Sequence, residues 1–135
     1  EYAVPRAEAP AVLGELRRVH EVNDWRAAFP VEVRLAAADD IPLSTASGRD
    51  TAYVAAHVPA GTDPGPWFAA LEAIAGEVGG RPHWGKLHGL AAGALQTRYP
   101  RFDEFVALRD RLDPGGVLSN AYLDRVLGPA VPRAL

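Results

Sequence analysis

Lys86 is a residue whose type suits chemistry, and it is the only lysine in a chain with thirteen arginines. Lysine is a compact donor on a flexible stem, and its pKa shifts more readily than that of arginine. Lys86 is therefore a candidate to donate to a substrate oxygen, or to stabilise negative charge that develops there. Composition alone does not separate this role from the chance placement of a single lysine.

The stretch around Lys86 also has most of a phosphate-binding motif, since Gly80, Gly85 and Lys86 stand at the spacing G-x-x-x-x-G-K. Two residues contradict the motif: Leu87 replaces the Ser or Thr that binds magnesium, and Pro82 removes a backbone donor. A helical pattern precedes the stretch, where the motif requires a strand. The sequence therefore predicts an extended segment here and no nucleotide-binding loop.

A metal site is not predicted either. His83 and His88 are five positions apart in chain that we expect to be extended. The sequence has no cysteine, and no obvious carboxylate partner completes a ligand set with the two histidines.

Glu32 and Arg34 form a second candidate group, because they alternate with apolar residues in the stretch 31–35 and so share one face of a predicted strand. The plain interpretation is a surface ion pair, which contributes little to stability. The chemical interpretation is a clamp for a polyol, in which the arginine donates to hydroxyls and the glutamate accepts from them. Tyr53 and His57 line the same predicted sheet face.

The elements that must position these residues follow from the hydrophobic pattern. In chain order, the pattern predicts a strand at 2–4, a helix at 9–22, a strand at 31–35, a strand at 51–58, a helix at about 67–78 and an extended segment at 81–86. This order is that of a ferredoxin-like βαββαβ fold of the α+β class, with an antiparallel sheet and both helices on one face. Further helices at 102–112 and 120–127 form a C-terminal helical tail. We expect residues 1–88 to be the core of the domain and residues 89–135 its extension.

The predicted faces of the sheet differ in character. The helices should cover the apolar side, which carries Val31, Val33, Leu35, Ala52, Val54, Ala56 and Val58. The opposite side should be open and should carry Glu32, Arg34, Thr51, Tyr53 and His57. A carboxylate, cations and aromatic rings on one wet face suit a neutral, hydroxyl-rich ligand.

The bulk composition limits the function classes. The 135 residues carry a net charge of −3, which gives no electrostatic footprint for nucleic acid. No apolar run reaches the roughly 18 residues of a membrane span, and no signal-peptide pattern is present. The absence of cysteine fits a cytoplasmic protein, with membrane association as the alternative. Because methionine is absent even from position 1, we expect a piece of a longer protein.

Several phrases of the sequence resemble the C-terminal part of the aldonolactone oxidoreductases, and the likeness extends from about residue 1 to residue 128. The phrases are VEVR at 31–34, DDIPLS at 39–44, GGRPHWGK at 79–86, YPRF at 99–102, RDRLDP at 109–114 and SNAYL at 119–123. This family includes L-gulono-1,4-lactone and D-arabinono-1,4-lactone oxidases, and the alditol oxidases are similar.

The resemblance implies a substrate-binding cap that works with an N-terminal FAD-binding domain of the same protein. It implies that a sugar lactone loses a hydride to FAD while its hydroxyl loses a proton. Glu32, Arg34 and Lys86 match residues that line the pocket in similar alditol oxidases, and we assign them as catalytic. Lys86 would be a base only with a depressed pKa, so we favour stabilisation of a developing alkoxide.

Further residues complete the predicted site. The residues expected to bind substrate are Tyr53, His57 and His83, and those expected to contact FAD are Trp84 and Asn120. Alditol oxidases have a threonine after the position of His57, whereas this chain has valine, which places the lactone ahead of the alditol. The alternatives are the cap of an alditol oxidase and a free-standing ferredoxin-like module for sugar binding or oligomerisation. Without an FAD-binding domain, the chain alone should be inactive.

Overall fold

The computed structural model describes residues 1–25 and 29–130. The regular elements are, in chain order, β1 (Tyr2–Pro5), α1 (Ala9–Val22), β2 (Glu32–Ala36), β3 (Thr51–Ala55), α2 (Gly65–Glu77), β4 (Arg81–Pro82), α3 (Ala92–Gln96), α4 (Phe102–Leu112) and α5 (Ala121–Leu127), with a 3₁₀ turn at Arg6–Glu8 between β1 and α1. Within the described ranges, no helix has the length and apolar character to cross a bilayer.

The strands form one antiparallel sheet in the order β2-β3-β1-β4. The prediction of an α+β, ferredoxin-like βαββαβ fold is thereby confirmed. One row of the register is important for function: Arg34 lies opposite Tyr53, and Tyr53 lies opposite Ala3. Arg81 lies opposite Ala3 on its other side. Because residues opposite each other share a face, this row places two arginines on one side of the sheet.

The helices α1 and α2 cover the other side. Their helical spacing buries Val12 and Leu16 of α1 and Leu71 of α2 against Val4 and Val54 of the central strands. Burial of each such side chain contributes about 1.5–3 kcal/mol, so this layer supplies much of the driving force for folding.

One part of the face prediction is wrong. Val33 and Leu35 of β2 were expected beneath the helices, yet both are exposed. Both side chains do lie on the side of the sheet that the helices cover, as predicted, because Val33 lies opposite the buried Val54. The helices, however, are centred on β1 and β3, so the edge strand β2 extends beyond their cover.

Two strands are shorter than predicted. β3 ends at Ala55, and β4 ends at Pro82 rather than at residue 86. His83 still donates its N–H to the carbonyl of Glu1 at 3.0 Å, and the chain then turns, with Lys86 N–H donating to the carbonyl of His83 at 3.1 Å. The turn brings Lys86 back towards the start of β1.

The end of α2 sets the direction of β4. Gly79 has a φ of +66°, which glycine adopts freely and which is typical of the residue that ends a helix. Gly80 packs so closely on α2 that an added Cβ would lie 2.6 Å from the carbonyl oxygen of Ala75. Glycine at both positions therefore permits the abrupt change from helix to strand.

A second apolar cluster forms in the tail and contains Leu95, Tyr99, Phe102, Val126 and Leu127. Arg81 joins this cluster to the sheet. Its buried guanidinium donates to the carbonyls of Arg98 at 2.8 Å and Ser47 at 2.7 Å, and lies 5.0 Å from the centre of the Tyr99 ring.

The side opposite the helices is therefore only partly open. Thr51, which was predicted on the open face, is fully buried. The loop before β3 and the tail cover that end, because Arg81 supplies the donor that their carbonyls need. The other end, towards Glu1 and Glu32, stays accessible.

We predict that Arg81→Met lowers the free energy of unfolding of the chain by about 3 kcal/mol, because several buried carbonyls lose their donor. Arg17→Met is the matched control, since Arg17 forms an exposed pair with Glu21 on α1. That control should change the free energy by no more than about 0.5 kcal/mol. Urea unfolding followed by circular dichroism measures both, and equal effects would contradict the proposed anchoring role of Arg81.

Candidate active site

A single carboxylate lies at the centre of the accessible end of the sheet. One oxygen of Glu1, Oε2, accepts a hydrogen bond from Lys86 Nζ at 2.8 Å and a second from Arg34 Nη2. The Glu1 side chain is only 1% exposed, whereas Lys86 is 39% and Arg34 51% exposed. The carboxylate is thus enclosed, and its two partners reach from it towards solvent.

Three separate segments bring these groups together. Glu1 precedes β1 and shares the face of Ala3 by strand alternation. Arg34 reaches it from β2, across β3, and Lys86 reaches it from the turn after β4. The pairing of the strands therefore brings Arg34 and Lys86 to Glu1, although they are 33 and 85 positions away from it in the sequence.

A second carboxylate extends the group along β2. Glu32 Oε1 lies 3.3 Å from Arg34 Nε, and its Oε2 lies 3.6 Å from His57 Nε2. The predicted pairing of Glu32 with Arg34 on one face is therefore present, and His57 lies beside it. These four charged side chains, two carboxylates and two cations, carry no formal net charge.

Tyr53 lies beneath Arg34. The guanidinium carbon of Arg34 is 5.9 Å from the centre of the Tyr53 ring, a cation–π contact that limits its movement. The Tyr53 hydroxyl is 2.9 Å from Thr45 Oγ1. The ring thus supports the arginine, while the hydroxyl is already hydrogen-bonded within the fold.

Electrostatics decide the protonation of Glu1. Burial by itself raises the pKa of this carboxyl group, but the hydrogen bond from Lys86 and the charges of Lys86 and Arg34 outweigh it. The net result is a lowered pKa, so Glu1 is a carboxylate at neutral pH. An enclosed anion of this kind persists because cations compensate for its lost hydration.

Three predicted residues have other surroundings. His83 belongs to the Lys86 turn, where its Nδ1 accepts from Gly85 N–H at 3.1 Å. Trp84 donates its indole N–H to the carbonyl of Leu43 at 2.9 Å, as part of the tail cluster. Asn120 caps α5 by accepting from Leu123 N–H at 3.0 Å. In this structure, Trp84 and Asn120 are engaged in the tail and not in the Glu1 group.

A groove of about 560 Å³ opens beside the charged group. Glu1 and Lys86 line one side, and the segment from His57 to Thr62 with Phe68 of α2 lines the other. This volume falls within the usual range for small-molecule sites. Among residues 1–25 and 29–130, no three His, Asp or Glu side chains gather as ligands for a metal ion.

Glu1 is the site residue that the sequence analysis missed. A signal was nevertheless present: a ferredoxin-like fold places its first strand in the centre of the sheet. An acidic residue two positions before Ala3 must then lie on the same side as Ala3. That position is beside the predicted open face, where Arg34 was already expected.

The fold and the site define a class, namely a ferredoxin-like domain with a donor-rich charged group at the accessible end of its sheet, beside a groove. The family described as D-arabinono-1,4-lactone oxidase matches residues 1–126, and the chain belongs to that family. This result confirms the resemblance noted from the sequence phrases.

Individual relatives agree with this assignment. The chain is 47% identical over 129 residues to an L-gulono-1,4-lactone dehydrogenase of Mycobacterium tuberculosis, covering 96% of the chain and 30% of the relative. It is 40% identical over 131 residues to an L-gulonolactone oxidase of Bos taurus, covering 93% and 30%. It is 37% identical over 134 residues to an alditol oxidase of a Streptomyces species, covering 94% and 31%. The chain thus spans about 30% of the length of the first two of these relatives.

We predict that Lys86→Met raises the pKa of the Glu1 carboxyl group, because burial then acts against fewer compensating charges. Carbon-detected NMR titration of the protein with labelled glutamate measures the pKa of Glu1 in both forms. Ionised Glu1 stabilises the fold above the ordinary carboxyl pKa of 4.5, and this contribution disappears as the pH falls through the lowered pKa. Because Lys86→Met brings the folded-state pKa of Glu1 closer to, or above, that of the unfolded chain, the part of acid destabilisation that comes from Glu1 should be smaller in Lys86→Met.

Glu104 is the internal control for this titration. Its pKa is also lowered, through its hydrogen bond with Arg101, but it is exposed and outside the groove. Its titration should not change in Lys86→Met. An unchanged Glu1 titration would show that Lys86 does not determine the charge state of Glu1.

Proposed function

We propose that this chain is the substrate-binding cap of a flavin-dependent oxidoreductase that oxidises an aldono-1,4-lactone. One observation carries the proposal: Arg34 and Lys86 converge on one oxygen of Glu1 and both stay partly exposed, with Lys86 at the edge of the adjacent groove. Family membership and the substrates in the names of the relatives support it.

The donors and acceptors match a sugar lactone. Arg34 carries five N–H groups and Lys86 three, so each retains donors beyond its bond to Glu1. Glu32 supplies acceptors for hydroxyl groups of the substrate. Because the four charged side chains balance, the accessible end of the sheet favours an uncharged ligand with many hydroxyl groups.

Oxidation of a carbinol requires removal of a hydride from carbon and of a proton from oxygen. Bound FAD supplies the hydride acceptor, which no amino-acid side chain can supply. In our proposal, the proton of the carbinol oxygen passes to solvent water, and Lys86 stabilises the negative charge that develops on that oxygen. Arg34 and Glu32 orient the substrate hydroxyls, and His57 lies close enough to Glu32 to assist.

The described residues fit the substrate side of such a site but not the pyrophosphate of FAD. In the glycine-containing stretch before Lys86, Gly80 N–H donates to the Ala75 carbonyl at 2.7 Å, and Gly85 N–H donates to His83. These backbone donors are therefore unavailable to phosphate oxygens. We assign the binding of the dinucleotide to a separate FAD-binding domain of the same protein.

The tail offers a surface for this domain. Phe105, Leu108, Leu112 and Leu118 are exposed around an apolar groove of about 320 Å³, and such patches commonly mark interfaces. We propose that the FAD-binding domain covers this tail surface, which would bring Trp84 and Asn120 towards the cofactor side. We place the whole enzyme in the cytoplasm, with membrane association as the alternative.

Alditol oxidation is the second candidate, because an alditol oxidase is 37% identical to the chain. The same donors could bind an open-chain polyol. The higher identity to the L-gulono-1,4-lactone dehydrogenase, 47%, favours the lactone. Assays of the full-length enzyme with L-gulono-1,4-lactone and with xylitol decide between them, and turnover of xylitol alone would refute the lactone assignment.

We predict that Lys86→Ala in the full-length enzyme lowers kcat about 100- to 1,000-fold, the usual loss when a donor to a developing oxyanion is removed. The flavin absorption spectrum should be unchanged, because Lys86 is not needed for folding of the FAD-binding domain. Steady-state kinetics measure the loss. Unchanged kcat would remove Lys86 from the active site.

We predict that Arg34→Ala raises KM for the lactone about 10- to 100-fold, the range expected when charge-assisted hydrogen bonds are lost. Arg101→Ala is the matched control, since Arg101 also pairs with a glutamate but lies outside the groove. Its saturation curve should match that of the unmodified enzyme. The same curve for Arg34→Ala would contradict the clamp.

A further inference from the structure

Glu1 has a role that the substrate contacts of Arg34, Lys86 and Glu32 do not explain. Its carboxylate is almost completely enclosed, so it has little surface with which to contact a ligand. Its bonds go instead to the two cations of the site, both on the single oxygen Oε2. It therefore acts on the site through Arg34 and Lys86.

We propose that Glu1 is a positioning and specificity-determining residue, which holds Arg34 and Lys86 together and balances their charge so that the groove accepts a neutral lactone and rejects its carboxylate form. This inference rests on the proposed function and deepens it. It names the charge of the ligand as the property that the site selects.

The positioning part follows from the geometry. Arg34 and Lys86 have long side chains that remain 51% and 39% exposed, and they come from different segments. Two cations this close repel each other, and the attraction of a shared anion outweighs that repulsion. Glu1 can serve as the fixed point because its backbone pairs with His83 and its side chain is enclosed.

The specificity part follows from the chemistry of lactones. A 1,4-lactone takes up water across its ester bond and becomes a hydroxy acid, which releases a proton at neutral pH. The product is an aldonate with nearly the same hydroxyl groups as the lactone. An arginine and a lysine side by side are good ligands for a carboxylate, particularly through the arginine fork. Without Glu1, the aldonate would therefore be the preferred occupant.

The charge count makes the effect of a substitution predictable. With Glu1 and Glu32 ionised, the two carboxylates cancel the charges of Arg34 and Lys86. Glu1→Gln keeps the shape and a carbonyl acceptor but leaves the group with one net positive charge. Lys86→Met has the opposite effect and leaves one net negative charge.

The test measures binding to the full-length enzyme, with its flavin reduced and oxygen excluded so that the lactone is not turned over. Isothermal titration calorimetry at pH 8, above the ordinary titration range of histidine, gives Kd for L-gulono-1,4-lactone and for L-gulonate. We expect Glu1→Gln to shift the ratio of the two Kd values towards L-gulonate by about tenfold or more, as one unit charge at short range allows. Glu104→Gln, which removes an exposed carboxylate paired with Arg101, should leave the ratio within about twofold of the unmodified enzyme.

A double-mutant cycle separates charge selection from loss of structure. Lys86→Met should shift the ratio away from L-gulonate, and Glu1→Gln combined with Lys86→Met should return it to that of the unmodified enzyme. The effect of Glu1→Gln is thus measured both in the unmodified enzyme and in Lys86→Met. If Glu1→Gln alone does not fold, the comparison in the Lys86→Met enzyme still tests the proposal. A ratio unaffected by Glu1→Gln in either background would overturn the proposal.

The cycle also separates this inference from the proposed function. An unmodified enzyme that neither binds nor oxidises the lactone would refute the function itself. An unmodified enzyme that oxidises the lactone, with a Kd ratio indifferent to Glu1→Gln, would refute only the role of Glu1.

Discussion

The shared oxygen of Glu1 is the contact on which the accessible end of the sheet depends. An enclosed carboxylate loses most of its hydration, and its charged form survives only if cations replace the water. Arg34 and Lys86 do so here, which is why the pKa of Glu1 is lowered despite its burial. The dependence is mutual, because the carboxylate also keeps two repelling cations together. A substitution at any of the three residues therefore changes the environment of the other two.

The sheet separates this charged group from the parts that hold the domain together. One side is closed by α1 and α2, and part of the other is closed by the tail through Arg81. Arg34 and Arg81 stand in one register row, yet their roles differ. Arg81 has buried carbonyls to satisfy, and burial lowers its pKa, whereas Arg34 has an anion and open space. Surroundings, and not residue type, decide which arginine is structural and which can meet a ligand.

A balanced charge among Glu1, Glu32, Arg34 and Lys86 agrees with the proposed function. The names of the relatives refer to L-gulono-1,4-lactone, L-gulonolactone and alditols, which are all uncharged compounds rich in hydroxyl groups. A site made of two carboxylates and two cations offers many donors and acceptors without attracting ions. Under the proposed function, the shape of the groove between Lys86 and the segment after β3 would distinguish a lactone ring from an open-chain polyol.

The amino-acid sequence by itself determined the order of the elements, because alternating and helical apolar patterns are local properties. It also determined that Glu32 and Arg34 share a face, since two residues at i and i+2 of a strand must. It did not determine which apolar residues of β2 are covered, nor that Thr51 is buried, because both depend on where the helices and the tail end on the sheet. Only the tertiary structure decided that Glu1 joins Arg34 and Lys86. Their contact crosses strands paired by backbone hydrogen bonds, and such pairing depends on the whole sheet and not on any one segment.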